Sequence, residues 1–250
     1  MKLRKTVLIT GGSKGIGQAT ARLLLQKGMQ VILLARDVKR LAAAKKAFVA
    51  EGFTPDAIEV VEMDMGDADA IRTRVPELRL LQRGLFGLVN NAACEILKPL
   101  SGFTEDDLES TWRVNMRAPI VMIQTCYPFL KKVRGSVVNL GSVSDREHYP
   151  RYSVYGGSKA FLNAFSRHAA KELGFDGIRI NVISPSGIDT PLMRAVEKTF
   201  PRKEIRQAKQ AIPIGQRWGT SQEIAETIYF ALTGPSYLHG ADIRVHGGSE

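Results

Sequence analysis

The chain opens its readable pattern with a β-favouring apolar run, Thr6–Thr10 (TVLIT). A glycine-bearing turn follows, then a stretch in which Ile16, Ala19, Leu23 and Leu24 share one helical face. That reads as strand, turn, helix. The short apolar signal returns at 31–35, 58–63, 86–90, 136–141, 178–184 and 243–245, each time after enough chain for a helix. Such alternation predicts parallel strands joined by crossover helices. Because crossovers are right-handed, helices should cover both faces of the sheet and ligands should gather at the carboxyl ends of the strands. The expected fold class is α/β, a doubly wound parallel seven-stranded sheet.

No repeat, low-complexity segment or Gly/Ser/Pro linker interrupts this pattern, so residues 1–250 are expected to form a single domain. One segment stands out. Residues 190–217 carry three prolines and seven Lys or Arg between the sixth strand and a helix that a Thr220/Glu223 capping box would start. This reads as a helical flap over a cleft.

Composition narrows the class. With 44% hydrophobic and 24% charged residues the chain is neither disordered nor collagen-like, and two isolated cysteines, Cys94 and Cys126, form neither a disulfide framework nor a metal quartet. No metal is expected, and reduced thiols fit a cytoplasmic protein. No apolar run is long enough for a membrane span, and the N-terminal MKLRK leads into a run broken by Gly11, Gly12 and Lys14, not into a cleavable signal. Thirty-five Lys+Arg against 25 Asp+Glu leave +10, which raises nucleic acid as a partner. The basic groups (2–5, 39–46, 72–83, 131–134, 202–209) are scattered and lack interleaved aromatics, so they read as solvated surface.

The candidate chemistry lies at the strand ends. In Thr10-Gly11-Gly12-Ser13-Lys14-Gly15-Ile16-Gly17, glycines would let backbone amides approach a pyrophosphate, and the helix beginning near Gly15 would turn its positive end to it. The spacing, GxxxGxG, differs from the usual GxGxxG. At the end of the second strand, Leu34-Ala35-Arg36-Asp37 puts a guanidinium where an acid would hold a ribose 2′-hydroxyl, and Lys14 can converge on the same group. NADP(H) is favoured; Asp37 keeps NAD(H) open. Tyr155 and Lys159, four apart, share a helical face, and a cation beside a phenol draws its pKa toward neutrality. Ser142 ends an apolar strand and would donate to a carbonyl oxygen. Asn115 sits awkwardly inside a helical stretch, where it would bend the helix or hold a water. Taken singly, each has a plainer explanation as a turn, a surface pair or a packing residue.

Together, the glycine turn, Asn90-Asn91-Ala92-Ala93, Asn115, Ser142, Tyr155-x-x-x-Lys159 and Pro185-Ser186-Gly187-Ile188-Asp189-Thr190 resemble, in order and along the whole chain, the motifs of the short-chain dehydrogenase/reductase family. The resemblance implies a single-domain Rossmann fold and an Asn-Ser-Tyr-Lys tetrad of Asn115, Ser142, Tyr155 and Lys159. In it, Tyr155 would exchange the proton with the substrate oxygen, Ser142 would position that oxygen, Lys159 would tune Tyr155 and bind the nicotinamide ribose, and Asn115 would hold a water linking Lys159 to solvent. It further implies cofactor contacts from Gly11, Ser13, Lys14, Gly15, Ile16, Gly17, Arg36, Asp64, Met65, Asn91, Ala92, Tyr155, Lys159, Pro185, Ile188 and Thr190. Three positions depart from the family: Ala93 replaces a glycine, Ser186 stands inside the usual Pro-Gly, and His246 replaces the aspartate of a terminal Asp-Gly-Gly.

Specificity should come from Glu95, Ser144, His148, Tyr149, Tyr152 and Leu192, a set that suits a small ketone, aldehyde or hydroxylated compound. The runner-up is a 3-oxoacyl chain on an acyl carrier protein. Carrier-binding relatives place arginines where this chain has Val133 and Asp176, which disfavours it. A non-catalytic NADP(H)-binding sensor or scaffold is disfavoured because the tetrad is complete. The resemblance also implies a homotetramer or homodimer through the Tyr155 helix, with Ala160, Phe161, Ala164 and Phe165 available for burial.

Overall fold

A computed structural model describes residues 5–249; Lys2 and Arg4 of the first basic group lie outside the described residues. Strands β1 (Thr6–Thr10), β2 (Gln30–Ala35), β3 (Ile58–Glu62), β4 (Gly87–Asn90), β5 (Ser136–Leu140), β6 (Arg179–Pro185) and β9 (Asp242–Val245) form one parallel sheet in the order β3-β2-β1-β4-β5-β6-β9. These are the seven runs read from the sequence, with ends moved by a residue or two. The fold is a single doubly wound α/β domain.

Alternation within strands sorts the core into two layers. Val7, Ile9, Leu33, Val89 and Val138 face helices α1 (Gly15–Gln26), α2 (Val38–Ala50) and α9 (Ser221–Thr233), meeting Leu24, Phe48, Ile224 and Ile228. Leu8, Ile32, Leu88, Val137 and Ile180 face the other way, onto α3 (Ala68–Arg74), α5 (Ala118–Val133) and α6 (Ser153–Leu173) through Ile71, Met122, Leu130 and Ala169. Because both faces are covered, the central strands read as unbroken apolar runs.

Several local signals carry over directly. Asp37 caps α2 and Asp67 caps α3, while Thr220 and Glu223 complete the capping box of α9. Asn115 does deform its helix: α4 (Glu105–Thr111) continues through a wide π turn, Trp112–Arg117, before α5. A feature the pattern did not predict is a second small ladder, β7 (Ile188–Asp189) with β8 (Gly219–Thr220). Between them lie the flap helices α7 (Pro191–Glu197) and α8 (Arg202–Gln210). Strand order reverses where β4 and β1 both lie beside the first turn, and a cleft of about 2040 Å³ runs along these carboxyl ends. It exceeds the roughly 300–1,000 Å³ of a drug-sized site, leaving room for a dinucleotide and a second molecule.

Candidate active site

The glycine turn is shaped by contacts that leave no room for side chains. Gly15 holds φ +56, and a Cβ on Gly17 would come 2.5 Å from the Gly11 carbonyl oxygen. Asn91 braces the turn from β4, its amide donating to the carbonyls of Thr10 at 2.8 Å and Gly11 at 3.2 Å. Gly11, Ser13, Lys14, Gly15, Ile16, Arg36, Asp64, Met65, Asn91, Ala92, Pro185, Ile188 and Thr190 all line the cleft. Gly17 does not: it is buried behind the turn, where its role is to let α1 approach the strand end. This cradle fits a dinucleotide pyrophosphate at the N-terminus of α1.

At the end of β2 the two rivals separate. The Asp37 carboxylate accepts from the Arg40 backbone N–H at 3.0 Å and pairs with Arg40 Nε at 3.1 Å. Arg36 and Lys14 are exposed at the cleft wall, with no ion pair among the described residues.

At the other end of the cleft, the Ser142 hydroxyl accepts from the Ser144 backbone N–H at 3.2 Å and from the Ser144 hydroxyl at 2.9 Å, and Tyr155 lines the same wall. Tyr155 and Lys159 are both buried on α6. The Lys159 ammonium donates to the Leu140 carbonyl at 2.7 Å and lies 5.6 Å from the centre of the Tyr155 ring. One helical turn does bring the cation to the phenol, but the expected lowering of the Tyr155 pKa is not what the site produces. Burial, reinforced by the negative charge of Glu95, drives the phenol well above its ordinary value, and Ser142 opposes this only in part. Burial also brings Lys159 down to about 8, with Glu95 opposing. Sequence spacing supplied the neighbour and omitted the cost of desolvating both groups.

Two other residues lie away from the cleft wall. Asn115 is fully buried and off the cleft wall. Its side-chain oxygen accepts from the Cys94 N–H at 2.7 Å, and its amide donates to the Cys94 carbonyl at 2.8 Å and to Ser158 at 3.0 Å. It clamps the loop after β4 to α6. His148 is exposed and does not line the cleft, because the 143–152 loop turns it outward, whereas Glu95, Ser144, Tyr149, Tyr152 and Leu192 do line it.

Two contacts of the site go beyond what the sequence shows, one of them made by Arg151 of the loop expected to set specificity. Arg151, in a left-handed conformation at φ +75, reaches from that loop to the Thr199 carbonyl at 3.2 Å and the Leu97 carbonyl at 3.3 Å, with its guanidinium over Phe200. It fastens the flap. Trp218 packs where a Cβ on Gly187 would stand, so the glycine of Pro185-Ser186-Gly187 is needed for that ring. No local signal announces either contact. His246 also lies off the cleft wall.

Among the described residues no helix is long and apolar enough to cross a membrane, and no three His, Cys, Asp or Glu side chains are grouped so as to hold a metal ion. Residues 5–200 match the family model described as short chain dehydrogenase. A 3-oxoacyl-[acyl-carrier-protein] reductase of Thermotoga maritima is 33% identical over 246 residues, covering 98% of this chain and 97% of its own. Among solved structures, levodione reductase superposes with a TM-score of 0.90 at 30% identity, covering 98% of this chain and 96% of its own. The Pseudomonas aeruginosa RhlG/NADP complex superposes at 0.87, also with 30% identity and the same coverage. A match over most of the chain, on a sheet whose strand ends assemble the motifs, makes this protein a member of the short-chain dehydrogenase family of oxidoreductases.

Proposed function

We propose that the protein interconverts a carbonyl and an alcohol on a small free ketone, aldehyde or hydroxylated compound, using NADP(H) and working as a reductase. The observation that carries this reading is that Ser142 and Tyr155 line one cleft close enough for the serine to act on the phenol, with Lys159 one turn along the same helix. Bound NADPH supplies hydride to the carbonyl carbon. Ser142 donates a hydrogen bond to the carbonyl oxygen as negative charge develops there. Tyr155 delivers the proton to that oxygen, leaving a phenolate that the Lys159 ammonium stabilises. Lys159 would also hold the nicotinamide ribose, and burial of the pair limits the access of bulk water to the proton exchange.

The preference for NADP(H) is supported by the engagement of Asp37 in its cap and with Arg40, which leaves Arg36 and Lys14 as the free charges at the end of β2. The solved relative named with NADP agrees with it. The likeness to an acyl-carrier-protein reductase favours a carrier-linked substrate as a second reading. Against it, the Asp176 carboxylate accepts from Tyr127 at 2.6 Å and pairs with Lys131 at 2.8 Å, so this patch presents a carboxylate, not a free arginine, to an acidic partner. Residues 190–217 act as the substrate flap, fastened through Arg151. We place the enzyme in the cytoplasm as a dimer or tetramer packed through Trp112, Phe161 and Phe165, whose rings already contact one another.

The test is NADPH consumption against a panel of ketones, aldehydes and acyl thioesters. Tyr155→Phe should lower kcat by about 10²–10⁴ while NADPH binding persists. Wild-type turnover in that variant would overturn the mechanism.

A further inference from the structure

The loop after β4 carries a carboxylate into the cleft under unusual constraint. Both backbone polar groups of Cys94 are held by the Asn115 side chain, so the course of the chain into Glu95 is fixed. Glu95 is half-buried, lines the cleft and makes no hydrogen bond or ion pair with any described residue. Tyr152, Tyr155 and Lys159 line the same cleft, and the Leu97 carbonyl two residues on is held by Arg151, the neighbour of Tyr152, so the charge of Glu95 acts on all three groups. Lys159, whose charge acts on Glu95 through space, donates to Leu140, and Arg151 spans Leu97 and Thr199, so neither bonds the carboxylate. A half-buried carboxylate that bonds no protein group is available to pair with a cationic ligand entering the cleft.

The rings beside it narrow the choice of ligand. Tyr149 and Tyr152 meet at 5.5 Å, and Tyr152 and Tyr155 at 6.1 Å, giving a run of aromatic rings that leads from the cleft mouth to the catalytic phenol. Carboxylates and aromatic rings together recognise organic cations. A neutral hydroxyl would satisfy one lone pair of Glu95 and leave its charge uncompensated.

We infer that the substrate bears a protonated amine near its carbonyl, with Glu95 as the specificity-determining residue and the rings of Tyr149 and Tyr152 flanking the cation. This deepens, and rests on, the proposed carbonyl reduction. It also couples recognition to chemistry. A bound ammonium neutralises the charge that opposes a phenolate at Tyr155, so an aminoketone should gain in kcat as well as in KM.

The experiment compares three cyclohexanones matched in size: one bearing a dimethylamino group, its isopropyl isostere, and the hydroxyl analogue. With wild-type enzyme and NADPH, kcat/KM for the amine should exceed that for each of the others by at least tenfold. Glu95→Gln should bring the amine-to-isostere ratio to within about twofold, and NADPH fluorescence checks that this variant is folded. Equal use of amine and isostere by the wild type, preference for the hydroxyl analogue, or a ratio that survives in Glu95→Gln would overturn the inference. Equilibrium binding of the same three ketones to the NADP⁺-loaded wild type separates the two levels. A tenfold preference for the amine with no turnover of any ketone would sink the reductase reading and sustain Glu95 as a cation site; equal binding would sink the cation site whatever the turnover.

Discussion

The two ends of the cleft use charge in opposite ways. At the adenosine end, Lys14 and Arg36 stand in solvent without protein partners, so their charge costs the fold almost nothing and reaches an incoming anion directly. At the chemical end, Tyr155 and Lys159 are buried, Lys159 is bonded to Leu140, and both are displaced from their ordinary ionisation. The first end selects a ligand by adding attraction. The second holds a phenol and an ammonium away from the ionisation they have in water, and the fold loses stability to keep them there.

The largest effect should come from emptying the first end. Each charge-assisted bond to a phosphate contributes about 1.5–3 kcal/mol, so Lys14→Ala with Arg36→Ala should weaken NADPH by about 4 kcal/mol, on the order of 10³ in KM. NADH should change little, and the NADPH preference of the wild type should fall as salt rises. KM for both cofactors at two ionic strengths checks this. Parallel losses for NADPH and NADH would mean that the exposed cations hold something other than a 2′-phosphate.

Next in size is the stability hidden at the second end. Lys159 titrates at about 8 in the folded chain against 10.5 for an ordinary lysine. Between those values the unfolded chain binds more protons, so this group makes stability rise with pH through that window, and below about 8 the full penalty is present. It amounts to about 3 kcal/mol at neutral pH, less about 1 kcal/mol for the bond to Leu140. Lys159→Met should therefore abolish turnover and raise Tm at pH 7 by about 4–8 °C, a gain that disappears near pH 10.5. A lower Tm at pH 7 would show that the buried ammonium stabilises the fold, and the contrast between the ends would fail.

The same contrast explains what could be read from the sequence. The strands were legible because each is a short run whose neighbours are covered on both faces, and Tyr155 with Lys159 because four residues on a helix fix a shared face. Asp37 could have been settled locally: an aspartate just before a helical pattern is a cap, and that is where its carboxylate goes. The displaced pKa values were not legible, since burial is a sum over distant elements. The clamp of Asn115 on Cys94, the ring of Trp218 against Gly187 and the reach of Arg151 to Thr199 join segments far apart in sequence. The outward turn of His148 is likewise a property of the folded loop, not of its composition.

The smallest effect tests how finely the chemical end is arranged. Ser142 accepts two hydrogen bonds from Ser144, one from its N–H and one from its hydroxyl. With its lone pairs so engaged, the single Ser142 hydrogen is left to donate into the cleft, where a substrate oxygen would take it. Ser144→Ala keeps the backbone bond and removes the other, so the Ser142 hydroxyl gains rotational freedom. The loss should be about 1 kcal/mol, or about fivefold in kcat, with KM for NADPH unchanged and recovery in Ser144→Thr. A structural defect would instead move Tm and cofactor binding together and would not be rescued by threonine. An unchanged kcat would mean that Ser142 needs no partner to orient it, leaving burial alone to distinguish the chemical end from the adenosine end.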